Sequence, residues 1–284
     1  MKKKFLILLP VLAAVFAGAQ AQTTAPAAPA MAASAPDPAP APAFTGNINV
    51  TSNYKFRGQD QGTLKGWSPA VQGGFDWTAN GFYLGNWDSN ISFAGNIEMD
   101  FYGGYRGDLA KDVTYDVGIL QYYYPKNGGE INFNTTELYG SVAWQWLSLK
   151  YSHTVSNDYF GIAKAQSLTA ASDGASLSGK GRNTGYLDLS ANYPLVDKLV
   201  LNAHVGYTRY ASDLRNASYM FDCASESLCT NNVGVPNYVD WKLGVTYDLG
   251  SGFSVAGAVV GASKKSFYGD INSTRAIVTL SKSM

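Results

Sequence analysis

FTGNINVTSNYKFR, residues Phe44 to Arg57, alternates in polarity along its length. Phe44, Gly46, Ile48, Val50, Ser52, Tyr54 and Phe56 fall on one side of an extended chain. Thr45, Asn47, Asn49, Thr51, Asn53, Lys55 and Arg57 fall on the other. Successive side chains of a strand point to opposite faces, so one face is apolar or small and the other polar. A helix would scatter the same residues around its circumference. The stretch reads as a strand.

The alternation recurs along the chain. Val71, Phe75 and Trp77 alternate with Gln72 and Asp76; Ile97, Met99, Phe101 and Tyr105 alternate with Glu98, Asp100 and Tyr102. Segments 113–124, 136–144, 147–155, 185–193, 199–210, 239–247, 253–262 and 274–284 continue the series. Segment 81–90 is irregular, because Phe82 and Leu84 fall on its polar side. Twelve strands result.

A soluble sandwich or lipocalin-like barrel also alternates, with its apolar face inside. Three features favour a membrane barrel instead, with apolar residues toward lipid and a polar lumen. The strand count is even. Long connections (58–68, 91–96, 125–134, 156–184, 211–237 and 263–273) alternate with short ones, as they do between the outer and periplasmic sides of outer-membrane barrels. Aromatics gather on lipid-side parity at both strand ends: Phe44, Trp77, Tyr83, Tyr105 and Trp144 beside short turns, and Tyr54, Phe56, Trp87, Tyr151 and Trp241 nearer the long loops. Ring systems with a polar edge favour the headgroup level, which gives two girdles. The expected fold is all-β, an antiparallel up-and-down transmembrane barrel of about 12 strands.

The flanking sequence agrees. Lys2, Lys3 and Lys4, the apolar run from Phe5 to Gly18 and the small-x-small site at Ala19-Gln20-Ala21 read as a signal peptide over 1–21. Residues 22–43, rich in Ala and Pro, read as a periplasmic tether, and 44–284 as the barrel. The expected location is the cell outer membrane of a Gram-negative bacterium, after export through the periplasm. Cys223 and Cys229 are expected to pair as a disulfide in a surface loop.

Across these strands the chain resembles the TorF family of proteobacterial porins. The likeness is carried by VTSNYKFRG (50–58), AVQGGFDW (70–77), EMDFYGGYRGDL (98–109), YDVGILQYYYP (115–125), LKYSHTVSNDYFG (149–161), LNAHVGY (201–207) and DWKLGVTYDLG (240–250). The resemblance implies an outer-membrane pore. One departure is Met284 at the C-terminus, where many such barrels end in Phe.

Strand parity places Asp76, Asp88, Glu98, Asp100, Asp116, Glu137, Asp188, His204 and Asp240 in the lumen, with Lys55, Arg106, Lys150, Lys242 and Arg275. Twelve tilted strands give a backbone diameter of roughly 24 Å and an opening of about 10–12 Å. The expected function is passive diffusion of ions or small hydrophilic solutes, with weak cation preference from the acidic excess. Cross-barrel pairing of these charges is the structural alternative. The loop 156–184, with Asp158, Tyr159 and Phe160, reads as a surface loop, and inward folding is its alternative.

Two other classes compete: a non-conducting surface barrel acting through its loops, and a barrel-embedded lipid hydrolase using His153 with Ser152 or Ser156. Neither histidine sits in a recognisable nucleophile motif. The expected partners are outer-membrane lipid and lipopolysaccharide, permeant ions or solutes, and the barrel-assembly machinery. A chain of zero formal net charge offers no electrostatic case for nucleic acid. No P-loop or dinucleotide fingerprint is present and no cofactor is expected.

Overall fold

The computed structural model describes residues 44–62, 68–125, 130–172, 174–217, 220–222 and 230–284. The signal peptide, the tether and Cys223 and Cys229 lie outside the described residues.

Twelve strands close into one antiparallel barrel, each bonded to its neighbours in sequence and the last to the first. They are β1 (Phe44–Thr51), β2 (Ala70–Ala79), β3 (Phe82–Asn90), β4 (Ile97–Ala110), β5 (Val113–Tyr123) and β6 (Thr135–Trp144). The ring continues with β7 (Leu147–Thr154), β8 (Gly185–Val196), β9 (Leu199–Arg209), β10 (Tyr238–Gly250), β11 (Phe253–Ala262) and β12 (Arg275–Ser283). β12 runs against β1 from Asn47↔Ser283 to Thr51↔Thr279.

The short turns are built from residues that tolerate a left-handed backbone. Asn80 and Gly81, Asp112, Gln145, Lys198, Ser251 and Gly252 all have positive φ. Such turns match the twist of the strands they join. The long connections lie at the opposite end.

The outer wall is apolar. Ile48, Phe75, Phe101, Val117, Leu149, Leu189, Leu243 and Val278 are all exposed on it. A continuous apolar belt of this extent is a surface for hydrocarbon, since soluble monomers rarely expose one. Among the described residues no helix is long and apolar enough to cross a membrane. The wall itself would do so.

Two readings of parity are corrected. Phe82 and Leu84 face outward, 59% and 61% exposed, so Tyr83 and Trp87 point into the lumen and Asp88 points out. The polar face of β3 is its outer face near the long-loop end. The first strand also stops at Thr51, six residues short of Arg57. Tyr54 and Phe56 keep the alternation but are buried in a core with Tyr122, Phe160 and Tyr268. Lipid and a protein core both accept apolar side chains, and alternation does not distinguish them.

Leu243→Arg places a charge on the outer wall, whereas Ala256→Arg places one on the inner wall. The first is expected to lower folding stability in lipid vesicles by about 2–4 kcal/mol and the second by much less. Urea titration of the two variants checks this; equal losses would reject a lipid-facing wall.

Candidate functional site

The lumen is organised by two neighbouring rows of inward residues that follow the hydrogen-bonding direction around the wall. One runs Tyr83, Gly104, Gly118, Tyr139, Ser152, Tyr186, Thr208, Tyr238 from β3 to β10. Large and small residues share this row so that the rings lie flat. Tyr83 covers Gly104, Tyr139 covers Gly118 and Tyr186 covers Gly206, where no Cβ would fit. Close approach of another group is what a strand glycine permits.

The second row carries charge. Arg106 pairs in register with Asp116, then Ser141, Lys150, Asp188, Gly206 and Asp240 follow, from β4 to β10. Basic and acidic groups therefore stand beside one another across strands. The cations also sit on the tyrosine row: Arg106 lies 4.4 Å from the Tyr83 ring centroid and Lys150 3.9 Å from that of Tyr139. Such contacts strengthen when desolvated. The Tyr83 hydroxyl donates to Asp116 at 2.5 Å and Tyr102 donates to Asp76 at 2.7 Å.

His204 is held between two carboxylates. It hydrogen-bonds Asp188 through Nδ1 and Asp240 through Nε2, the latter at 2.7 Å, and Tyr186 donates to the same Asp240 oxygen at 3.1 Å. With both ring nitrogens engaged, the imidazole fixes the spacing between β8 and β10. Lys242 stands beside His204 in register.

At the long-loop end the lumen is filled. The connection after β1 folds into the barrel as a hairpin, Lys55–Phe56 against Gln59–Asp60, turned by Arg57 (φ 43) and Gly58 (φ 77). Its tip lies against the inner wall, where a Cβ at Gly58 would stand 2.8 Å from the Gly261 carbonyl of β11. Arg57 reaches nearly half-way round the ring to Glu137 on β6, with Nη2 at 2.8 and 3.1 Å from the two carboxylate oxygens. Its Nη1 donates to Tyr159 at 2.8 Å, and the Tyr186 ring lies 4.1 Å away.

Lys55 donates to the carbonyls of Gly58 and Ile271 and faces Asp60 at 3.2 Å. Burial pulls its ammonium down to about 8, against the attraction of Asp60. Asp60 also meets Arg275, which bridges to Asp270 at 2.8 Å.

The connection between β7 and β8 packs over this hairpin. Tyr159, Phe160 and Ile162 are buried, and helix α1 (Ile162–Ser172) follows. Asp158 accepts from the backbone of Tyr159, Ala163 and Lys164, tying down the start of the helix. The expected surface loop is thus folded inward, because its aromatic residues complete an apolar core. Inward residues near the short turns, such as Thr114, Arg106 and Asn192, are exposed instead. The lumen is a polar vestibule open at the short-turn end and packed shut at the other.

Of the expected lining residues, Asp76, Glu98, Asp100, Arg106, Asp116, Glu137, Lys150, Asp188, His204, Asp240, Lys242 and Arg275 hold inward wall positions. Lys55 is inside the barrel, on the hairpin and not the wall. Asp88 is outside, hydrogen-bonded by Asn86 at 2.7 Å. Glu98 lies under the hairpin, where Tyr54 donates to it. Arg57, the residue that anchors the hairpin, stands outside that lining set, although its polar parity at 57 was legible. The inward tyrosines were harder to find, since ring position alone suggests a girdle.

His153 faces outward, bonded to Tyr151 and Asn183. Ser152 faces the lumen and Ser156 donates to the Asp158 carbonyl. Neither serine is presented to that imidazole. Among the described residues no group of three His, Cys, Asp or Glu is arranged to hold a metal.

Residues 35–283 match a family described as "Bacterial protein of unknown function (Gcw_chp)". The chain belongs to the Gcw_chp family. No curated protein matches this Gcw_chp chain. Among solved structures it is similar to the NanC porin, with a TM-score of 0.50, 9% identity, and 83% of this chain and 97% of that one covered. The KdgM porin aligns with a TM-score of 0.49 at 11% identity, covering 84% of this chain and 99% of that one. At such identities the likeness shows a porin-like barrel fold and nothing finer.

Gly104→Ala and Gly206→Ala each drive a methyl into a tyrosine that lies along the wall. Each is expected to destabilise this Gcw_chp barrel by about 1–3 kcal/mol. Gly257→Ala, where nothing stands within 4 Å of the added carbon, is expected to change little. The temperature of the heat-dependent gel-mobility shift reads all three.

Proposed function

We propose that this protein is an outer-membrane porin of the TorF type, a channel for ions and small hydrophilic solutes gated at its outer mouth. The observation that carries the reading is the hairpin anchored by Arg57 on Glu137 inside an otherwise polar lumen. Both partners are 1% exposed as side chains. Arg57 Nη2 donates to both carboxylate oxygens while Nη1 holds Tyr159, and breaking a buried pair leaves one charge without its partner. A static plug needs only apolar packing, whereas a polar anchor on the wall lets the hairpin be released by a change at one contact.

The wall charges give the open state its preference. Acidic side chains outnumber basic ones on the inner wall, and part of that charge is engaged by His204, Arg106 and Lys150. The remainder favours cations. A second reading, a non-conducting surface barrel, draws support from the packed mouth itself. Single-channel recording separates the two.

Arg57→Ala and Glu137→Gln are expected to raise the open probability and the mean conductance of the refolded barrel in planar bilayers. Currents that stay absent in both variants, with the barrel folded, would favour the surface-protein reading. In a potassium chloride gradient the open variants should show a reversal potential on the cation side. A shift to the anion side would reject the proposed selectivity.

A further inference from the structure

Arg106, Asp116, Ser141 and Lys150 stand in one register row on four adjacent strands, β4 to β7. The row carries both signs of charge, yet its charges do not pair with one another. Among the described residues Arg106 and Lys150 make no ion pair and no hydrogen bond; each lies over a ring instead. Asp116 accepts from Tyr83 through Oδ1, which leaves its Oδ2 unengaged, and the Ser141 hydroxyl is unengaged too. The carboxylates around Lys150 are taken. Asp188, its register partner on β8, binds Ser190 and His204, and Glu137 holds Arg57.

The rings keep these charges apart. Tyr83 lies flat on Gly104 and Tyr139 flat on Gly118, so both cations stand on the lumenal faces of the rings. The two phenol hydroxyls meet each other, and Tyr83 also holds Asp116. Asp116, Ser141 and Lys150 are half-buried in the vestibule and Arg106 is exposed. Arg106 abuts Asp116 strand to strand. Lys150 is two strands from Asp116, about 10 Å between backbones, with Ser141 between them.

Opposite charges side by side in a sheet normally pair. Here the cation is drawn to a ring and the acid to a phenol, so one positive and one negative group face the lumen across Ser141. A ligand of one sign meets one of them and is repelled by the other. A ligand bearing both signs meets both, and side chains already fixed by the rings lose little freedom on binding it. We propose that Asp116, Ser141 and Lys150 form a binding site for a small zwitterion, an α-amino acid. Its ammonium would meet Asp116 Oδ2, and its carboxylate Lys150 Nζ and Ser141 Oγ. The site names a permeant class for the proposed channel and rests on that reading for a water-filled lumen. A zwitterion has no net charge, so a cation preference does not oppose its entry.

The test uses the refolded barrel in phosphatidylcholine nanodiscs. Saturation-transfer NMR measures binding of L-alanine, of propionate, which lacks the ammonium, and of ethylamine, which lacks the carboxylate. Wild type is expected to bind alanine about tenfold more tightly than either, the worth of one charge-assisted contact. Lys150→Met should bring alanine down to the level of ethylamine, and Asp116→Asn to the level of propionate. Ser141→Ala, which removes only a hydroxyl, should weaken alanine several-fold and serves if a charge variant fails to close. Heat-dependent gel mobility shows which variants are closed barrels. Propionate or ethylamine binding as tightly as alanine would overturn the site, as would unchanged alanine binding in the closed variants. Alanine binding without any single-channel current would keep the site and sink the channel reading; current without alanine binding would do the reverse.

Discussion

Inside hydrocarbon a backbone amide has no water to bond, so each N–H and C=O of a spanning strand must find its partner in another strand. That demand admits closed sheets and excludes open ones. The pairing of β12 with β1 meets it here. Five residue pairs join the two strands, and mutual bonds between Gly46 and Met284, at 2.9 and 2.8 Å, extend the seam. Once the ring is closed, every side chain is committed to lipid or lumen by the parity of its position. The apolar belt, the tyrosine row and the charge row are consequences of that single closure.

Closure also explains why the lumen is layered. Inward positions on adjacent strands meet along hydrogen-bonded rows that climb as the strands tilt. A row that mixes Tyr with Gly lets rings lie flat, and the next row then presents charges to the ring faces. Arg106 and Lys150 use Tyr83 and Tyr139 in this way, while the Tyr83 hydroxyl turns to Asp116. The cost of burying charge in a narrow tube falls when aromatic faces and carboxylates share it. The glycines are part of this arrangement, since a methyl at 104 or 206 would lift the ring from the wall.

Much of this architecture was legible in the sequence. Alternation at Phe44–Thr51 fixed a strand, and the rhythm of short and long connections fixed its partners and an even count. The polar anchor at Arg57 was visible only as one more residue on the polar face. What alternation does not encode is which apolar environment receives an apolar side chain. Tyr54 and Phe56 keep lipid parity yet enter a core beneath the loops. In β3 the pattern was irregular because Tyr83 and Trp87 serve the lumen while Asn86, Asp88 and Asn90 face outward. Long-range contacts decide such cases, and the distance from Arg57 to Glu137 in sequence is 80 residues.

The mouth of the barrel differs in kind from its wall. The wall needs no apolar interior, because its apolar face is solvated by lipid. The mouth has one: Phe56, Tyr122, Phe160, Tyr210, Leu214 and Tyr268 pack as they would in a soluble protein. Opening it would expose those rings to water, at a cost that grows with the area uncovered. If the proposed gate operates, the polar contacts therefore decide how the lid moves. Arg57–Glu137 fixes the hairpin to β6, while Asp60 on Arg275 and Lys55 on the Ile271 carbonyl fix it near β12. Displacing the hairpin as a unit would break these contacts and draw Phe56 away from Tyr122 and Phe160, while leaving the packing among Tyr210, Leu214 and Tyr268 in place. A partial opening of that kind uncovers less apolar surface than unfolding the whole lid, which is why the proposed gate is placed at the anchored hairpin and not at the β7–β8 connection.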